Sequence, residues 1–518
     1  MPTYTFLAPA QGTGTPLTTL FQSSQLVGHH GEAGPLITSV SVNDREVEPG
    51  ALFVALPGQH SHGAQFAQRA RDRGAVAVMT DPTGAGVARA SGLPVAVVTD
   101  ARRAVGDVAS RVYGTDEARP RPFGVTGTNG KTTTVHLLDA LLELLGVRAG
   151  HSSTESRRSG DAVIGSRLTS PEAPELHALL ARMNEDAVKE AAIEVSAQAI
   201  THHRFGGIVL DVAGFTNLSH DHLDEYGSMG AYLHAKATLF RPEHARAGVV
   251  SLDSPAGRDV VAASRIPVST ISSTPGVDAD WSVHAVRITP TTTNFELSGP
   301  GGLNLRTSIP LLGRHMAADC GLALAMLATA GHDLAAASDR LAEGLHVDVP
   351  GRTTLISGSD GPRVYVDFSH TPDSIEKTLT ALRAVAQGPV VVVMGADGER
   401  DTTKRRPMGA AAANGADVAI ITDHHSRFED PTSIREALLA GARTMTPSSI
   451  VLDIADSAEA IRTAIDFASP DGTVLWSGPG NVDYRVIRGV DVPYSPRRDA
   501  ARALVEAGWA PPPRPGHG

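Results

Sequence analysis

Between residues 123 and 146 the chain reads "FGVTGTNGKTTTVHLLDALLELLG": an apolar strand, a loop with two glycines, then a helix. Few short stretches limit a fold as strongly. A helix that follows a Gly-rich loop presents unpaired backbone N–H groups at its N-terminus, and these enclose a phosphate. The stretch Gly127–Thr134 departs from the commonest phosphate loop, G-x-x-x-x-G-K-[ST], in having only Thr128 and Asn129 between Gly127 and Gly130. The mechanics carry over. The loop from Gly127 to Thr133 wraps phosphate, Lys131 reaches the outer oxygens, and the Thr132 hydroxyl is placed for Mg²⁺. The bland alternative is a Gly-Lys-Thr turn without a ligand, but strand and helix flank the loop as the motif requires.

The rest of the chain repeats that alternation. "AAIEVSAQ", "GIVLDVAGFTNL" and "AGVVSLD" read as further apolar strands, and "RVYVDF", "PVVVVMG", "DVAIITD" and "GTVLWSG" form a later set. Helical stretches such as "TPDSIEKTLTALRAV" and "TSIREALLAGA" separate them. Strands alternating with helices predict an α/β fold with mostly parallel sheets. A smaller α/β unit comes first: short strands around a turn in "LITSVSVNDREVEPGALFVALPG", a helix feeding a strand in "FAQRARDRGAVAVMTD", and a strand in "LPVAVVTD". "GTDEARPRP" reads as a linker. The Thr/Ser/Gly-rich segment 271–310 predicts an antiparallel appendage. At 518 residues the chain exceeds one core, so two to four domains are expected.

Composition removes several function classes. A formal net charge of −11 and no long basic run argue against a nucleic-acid binder. The one cysteine, Cys320, lies in a helical pattern and excludes disulfide scaffolding; a buried small side chain is its expected role. "MPTYTFLAPAQG" has no secretory pattern, and nowhere do 18 apolar residues run together, so a cytoplasmic protein is expected. Only five residues are lysine (131, 189, 236, 377 and 404) against 40 arginines. A lysine retained in such a chain is a candidate for work that a planar guanidinium cannot do.

Further candidates follow the strands. Glu194 ends "AAIEV", where a carboxylate suits a second Mg²⁺ ligand position, although taken alone a structural role is the stronger reading. Asn217, Asp221, His222 and Asp224 follow another strand. Lys236, in "YLHAKATLF", either snorkels or sits near an ionic partner. "ITDHHSRFEDP", residues 421–431, sets His424 beside His425 and leaves a metal site, a substrate-reading loop or a solvated turn open. Two adjacent histidines need further ligands to hold zinc, and no spacing in the chain supplies them.

Taken in order, Gly127–Thr134, Glu194-Val-Ser, "TNL..DHLD.YG", "K..LF", "VPGR", "VDFSHTPD" and "ERDTTKR" resemble the Mur ligase family, most of all its tripeptide-synthetase branch. The resemblance runs from about residue 36 to about 500. It implies three domains: residues 1–119 for the UDP-substrate, 120–345 as the P-loop ATPase, and 346–509 as a Rossmann-like amino-acid-binding unit, with a disordered tail at 510–518. It also implies ATP and Mg²⁺ as cofactors, a UDP-muramoyl peptide and an amino acid as partners, and a place in cytoplasmic peptidoglycan synthesis. By the resemblance, Lys131 and Thr132 serve the ATP phosphates. Thr132, Glu194 and His222 hold Mg²⁺, with Lys236 as the carbamylated lysine that assists. Arg352, Asp367 and His370 approach the nucleotide from the last domain. Thr169, Ser170, Ser196 and Arg204 meet the muramoyl substrate, and Arg400, His424, His425, Arg427, Gly478 and Val482 meet the amino acid. The implied reaction passes through an acyl phosphate that the amino acid's amine then attacks.

Several positions depart from the family pattern. Asn43-Asp44-Arg45 stands for Asp-Ser-Arg, which sets the charge of Asp44, beside Arg45, near an anionic ligand. Where the family pattern reads Phe-Asn-x-x-Asn, this chain has His315-Met316-Ala-Ala-Asp319, so Met316 and Asp319 replace two asparagines and His315 a phenylalanine. In members that add diaminopimelate, Asp-Asn-Pro-Arg reads the amino acid; here the residues are His424-His425-Ser426-Arg427. Their Gly-Lys-Gly-His-Glu is Gly478-Pro479-Gly480-Asn481-Val482, so the carboxylate facing the far ammonium is gone unless Asp483 replaces it. Meso-diaminopimelate read in the ordinary way is therefore not the expected substrate, while Arg427 suggests a ligand carboxylate. Two other readings stand beside this one: a Mur-ligase-like enzyme for a non-peptidoglycan carboxylate, motivated by Asp44, and a noncatalytic nucleotide-binding assembly protein.

Overall fold

Strands without a single exposed position sit at the centres of three sheets. Ala51–Ala55, Ala77–Thr80 and Val95–Val98 are buried throughout, as are Glu190–Glu194, Val390–Met394 and Thr473–Ser477. Such runs require cover on both faces, which parallel sheets with helical crossovers supply. The protein is described here by a computed structural model covering residues 6–10, 14–21, 26–31, 34–58, 60–444 and 449–510.

The first sheet runs Leu26–His30, Val95–Val98, Ala77–Thr80, Ala51–Ala55, Ser39–Ser41, parallel except at Leu26–His30. Here the expectation of strands around a turn needs refinement. Ser39–Ser41 and Ala51–Ala55 pair in parallel, which a tight turn cannot connect. The 3₁₀ helix Asp44–Glu46 makes the crossover, capped by the Asn43 side chain accepting from the Arg45 amide.

The second sheet has eleven strands. Its parallel centre runs Ala149–Ser152, Glu190–Glu194, Arg121–Thr126, Leu210–Phe215, Ala245–Ser251, Val268–Ser272. From Arg121–Thr126 the chain crosses to one side for two strands, then to the other, so strand order reverses there and a crevice opens at the carboxyl ends. Register keeps those ends level: Glu194 lies opposite Val125, and Phe215 opposite Thr126. The segment expected as an appendage extends the sheet through Trp281–Ile288, Thr293–Gly299 and Leu303–Ile309, the last two pairings antiparallel. Helices Lys131–Leu144 and Arg314–Thr329 pack on one face, where Leu138, Leu142, Leu324 and the buried Cys320 share a core.

The third sheet runs Thr354–Leu355, Arg363–Asp367, Thr473–Ser477, Val390–Met394, Val418–Ile421, Ile450–Asp453, parallel except at its first pair. Its carboxyl ends face those of the second sheet. Between the first and second sheets, Gly106 on helix Ala101–Val112 lies against the Gly206 backbone, too close for any side chain. His177 seals the same junction, bonded through Nδ1 to Thr115 Oγ1 (2.6 Å) and through Nε2 to the Gly206 carbonyl (2.9 Å). Of the tail expected at 510–518, residues 511–518 lie outside the described residues, and the Ala510 amide donates to Asp360 (3.1 Å). Among the described residues no helix is long and apolar enough to cross a membrane.

Burial lowers the His177 pKa from 6.5 to about 4, so the folded protein binds fewer protons than the unfolded chain between those values. Stability is then complete above about pH 6.5 and is lost as the pH falls toward 4. His177→Gln should flatten that acid limb by up to about 1.4 kcal/mol per pH unit, read from urea unfolding over a pH series. An unchanged slope would refute it.

Candidate active site

A cavity of about 420 Å³ lies where the carboxyl ends of the second and third sheets meet. Its floor is the loop after strand Arg121–Thr126. Gly130 caps helix Lys131–Leu144 at φ 87°, a conformation open to glycine, and a Cβ there would fall 2.5 Å from an Asp319 carboxylate oxygen. The next strand's end braces the loop: Asn129 exchanges hydrogen bonds with the Asn217 side chain (3.1 and 3.0 Å), and the Thr216 hydroxyl donates to the Asn129 carbonyl (2.6 Å). Lys131 Nζ donates to the Thr128 carbonyl (2.8 Å) and lies 3.8 Å from Glu194.

Thr128 to Thr133, Glu194 and His222 all line this cavity. Gly127 does not; it shapes the loop from behind. The Thr132 hydroxyl donates to Glu194 Oε2 (2.9 Å), which also accepts from the Thr154 amide and hydroxyl (2.9 and 3.0 Å). His222 sits at φ 56° with its pKa lowered by burial, so a neutral imidazole faces the same space. An alcohol, a carboxylate and a neutral imidazole beside a phosphate loop form a donor set suited to Mg²⁺.

Lys236 neither snorkels nor meets a carboxylate. It is buried, donates to the Gly127 carbonyl (2.6 Å) and lies 4.3 Å over the Tyr232 ring. Burial, reinforced by Lys131, pushes its pKa well below the lysine range. As an amine it offers a cation no oxygen, and it supports the site through the loop.

The flank toward the first sheet is lined by Arg167, Thr169, Ser170, Ser196 and Arg204. Ser170 Oγ links the Glu194 carbonyl (2.7 Å) to the Ser196 amide (3.0 Å). Asp44 and Arg45 are not among the lining residues. Buried Asp44 pairs with Arg69 (2.9 Å), which answers the charge expected to disturb an anionic ligand.

The third sheet closes the cavity from above. Arg352 reaches Glu155 (3.3 Å) and stacks 4.8 Å over Phe368; Asp367 accepts from the Thr353 and Ser369 amides (2.6 and 2.7 Å). His370 Nδ1 is bonded to the Phe368 carbonyl (2.7 Å). Asn129 donates to Asp373 (3.0 Å), the Leu223 amide to Asp401 (3.0 Å), and Lys404 to Asp221 (2.8 Å). Burial works to raise the Asp221 pKa, but Lys404 and the nearby imidazoles of His370 and His222 outweigh it and hold it below the carboxylate range.

Arg400, His424, His425, Gly478 and Val482 line the far end, together with Asp397, which sequence reasoning missed. Its signal was an acidic residue just past strand Val390–Met394. Arg427, expected with them, is not among the lining residues. At φ 54° it turns its guanidinium to Asp397 (3.3 Å), while its amide donates to the Val486 carbonyl (2.9 Å). Asp483 is also absent from the lining and faces Arg497 and Arg498. His315 and Asp319 line the cavity; burial raises the Asp319 pKa well above its ordinary value.

Three family models match successive parts of the chain: the Mur ligase family catalytic domain at residues 36–113, the Mur ligase middle domain at 125–327, and the Mur ligase glutamate ligase domain at 351–480. A UDP-N-acetylmuramyl-tripeptide synthetase of Leifsonia xyli subsp. xyli is 50% identical over 92% of this chain and 93% of its own. A UDP-N-acetylmuramoyl-L-alanyl-D-glutamate–2,6-diaminopimelate ligase of Streptomyces avermitilis is 40% identical over 96% and 98%. Among solved structures, another ligase of that diaminopimelate-adding type aligns with a TM-score of 0.65 at 26% identity, covering 96% of this chain and all of its own.

Removing the Lys404 ammonium leaves Asp221 buried without its partner. Lys404→Met should cost about 3–5 kcal/mol of stability in urea unfolding. Lys404→Met combined with Asp221→Asn should recover most of that loss. Additive single effects would show that the two side chains do not act as a pair.

Proposed function

This chain belongs to the Mur ligase family, and from that premise we propose how its residues carry out the family's chemistry. The enzyme is an ATP-dependent ligase that forms an amide bond on a UDP-N-acetylmuramoyl-peptide intermediate. We assign residues 1–119 to the UDP-substrate, 120–345 to ATP and 346–509 to the amino acid. The observation that carries the assignment is the shared cavity: phosphate-loop residues and Arg400 line one space.

The acceptor carboxylate attacks the γ-phosphorus of ATP. A carboxyl oxygen–phosphorus bond forms, the bond to the β-phosphate oxygen breaks, and ADP leaves. The amino acid's amine then attacks the acyl carbon, the carbon–oxygen bond to phosphate breaks, and the departing phosphate takes the proton that the nitrogen releases. Lys131 exchanges its bond to the Thr128 carbonyl for the phosphate oxygens, and loop amides hold them in line. Thr132, Glu194 and His222 would hold Mg²⁺, which would neutralise charge on the transferring phosphoryl group. Lys236 remains the proposed carbamate site, because a buried neutral amine is the form that adds CO₂. Ser170, Ser196 and Arg204 take the muramoyl substrate, and Arg352, Asp367 and His370 complete the nucleotide side. The amino acid is not meso-diaminopimelate read in the ordinary way, because Val482 supplies no carboxylate for a distal ammonium.

Purified enzyme with ATP, Mg²⁺, UDP-N-acetylmuramoyl-dipeptide and mixed amino acids should yield a product heavier by one residue in mass spectrometry. Phosphate release should require both the acceptor and the amine. Lys131→Ala should lower the rate at least about 100-fold, in the range seen for loss of one transition-state donor. Phosphate release that ignores both co-substrates would count against a ligase.

A further inference from the structure

The two adjacent histidines of the far end are hydrogen-bonded in opposite senses. His424 Nδ1 lies 3.0 Å from Asp397 Oδ1. A carboxylate only accepts, so His424 carries its proton on Nδ1. The Val486 amide donates to His425 Nδ1 (2.9 Å), so His425 carries its proton on Nε2. Burial, with His424 beside it, lowers the His425 pKa to about 4, and the ring is neutral near pH 7. Its Nε2–H has no partner among the described residues and belongs to a ring that lines the cavity. Tyr484 and His424 hold the ring edge-on, at 5.8 and 4.4 Å between centroids.

Potential ligand atoms of Asp397, His424 and His425 lie within 4.8 Å of one another, which revives the metal reading that lacked a third ligand in the sequence. The tautomers oppose it. A cation at His425 would need either the lone pair that receives the Val486 amide or the position that holds the proton. The charges here are also answered from within. Asp397 accepts from His424 and from Arg427 (3.3 Å), Glu429 is bonded twice by Arg405 (2.5 and 2.7 Å), and Asp401 accepts from the Leu223 and Thr403 amides. Val482 adds only apolar surface. An ammonium beside His425 would face a donor N–H, and the carboxylate next to it, Asp397, already accepts from His424 and Arg427; the buried Nε2 of His424 is an unpartnered acceptor that a hydroxyl or carboxamide can also fill.

Resting on the ligase reading above, we propose that the incoming amino acid ends in an uncharged hydrogen-bond acceptor, a hydroxyl or a carboxamide, that accepts the Nε2–H of His425. Val482 covers its methylenes. Asp397, through His424, and the hairpin Tyr484–Ile487/Val490–Pro493, through Val486, are positioning elements that fix the ring and its proton.

The test compares kcat/KM of the full-length enzyme for six amino acids: L-homoserine and L-glutamine, the apolar isostere L-norvaline, and the charged L-ornithine, L-lysine and meso-diaminopimelate. A hydroxyl or carboxamide chain should exceed both norvaline and every charged chain by at least about tenfold. His425→Phe should bring the homoserine-to-norvaline ratio toward one, and Val482→Glu should shift preference toward ornithine by about tenfold. A wild-type preference for any charged chain, or a ratio unmoved in His425→Phe, overturns this inference and leaves the ligase reading intact. Turnover with none of the six overturns both.

Discussion

Two charges removed from water together, Lys404 and Asp221, hold the carboxyl ends of two separate sheets against each other at 2.8 Å. Neither side chain is more than 10% exposed. Each charge alone would carry a desolvation penalty of several kcal/mol, and their attraction offsets it only while both are docked. The pair therefore favours the arrangement in which the two sheets are docked. The Asn129–Asp373, Leu223–Asp401 and Arg352–Glu155 contacts distribute the same closure around the rim. The chemistry needs this, since an acyl phosphate must meet an amine before it meets water.

Enclosure also decides which groups near the phosphate loop keep their charge. Lys236, bonded to the Gly127 carbonyl, and Asp319, packed against Gly130, are both buried, and burial drives both toward neutrality. Lys131 keeps its partners within the cavity, the Thr128 carbonyl and the more distant Glu194. From the loop, a nucleotide meets Lys131 and a row of backbone dipoles, with Arg352 and Lys377 across the same cavity, and Lys236 adds no further full cation to compete for the γ-phosphate. Gly130 makes this layering possible: Asp319 packs against the loop where any Cβ would collide with it.

The legible parts of the fold are those with local signatures. Val390–Met394, four valines and a methionine, can only be a strand covered on both faces. The hairpin Ser156–Ser159/Ala162–Gly165 left no such trace: its "SRRS" strand is polar, and Arg158 is satisfied by Asp139 and Glu143 rather than by apolar packing. The site divides the same way. Gly127–Thr134 is readable because all its parts are consecutive. Glu155 and Asp373 act across gaps that only the docked sheets close, and Asp397 meets His424 and Arg427 only where neighbouring strands of the third sheet end side by side. The orientation of Arg427 was not legible because it depends on a backbone angle: at φ 54° the residue aligned with a ligand-reading arginine turns its guanidinium to an internal carboxylate.

The histidine pair shows why residue identity alone left the far end undecided. His424 and His425 are the same side chain with the same intrinsic pKa, one peptide bond apart. One binds a carboxylate and the other an amide 61 residues further along the chain, and those partners place their protons on opposite nitrogens. A metal, an anion, a cation and a neutral chain would each be compatible with "HH" in a loop. Once the tautomers are set, the first is opposed by the lost lone pair and the third by a donor facing a donor. Arg427, the residue that suggested an anion, is spent on Asp397. Beside Arg400, what this end leaves open to a ligand is the Nε2–H of His425 and the unpartnered Nε2 lone pair of His424, in a cavity that Val482 also lines, and that pair suits an uncharged hydroxyl or carboxamide at the end of a short apolar chain.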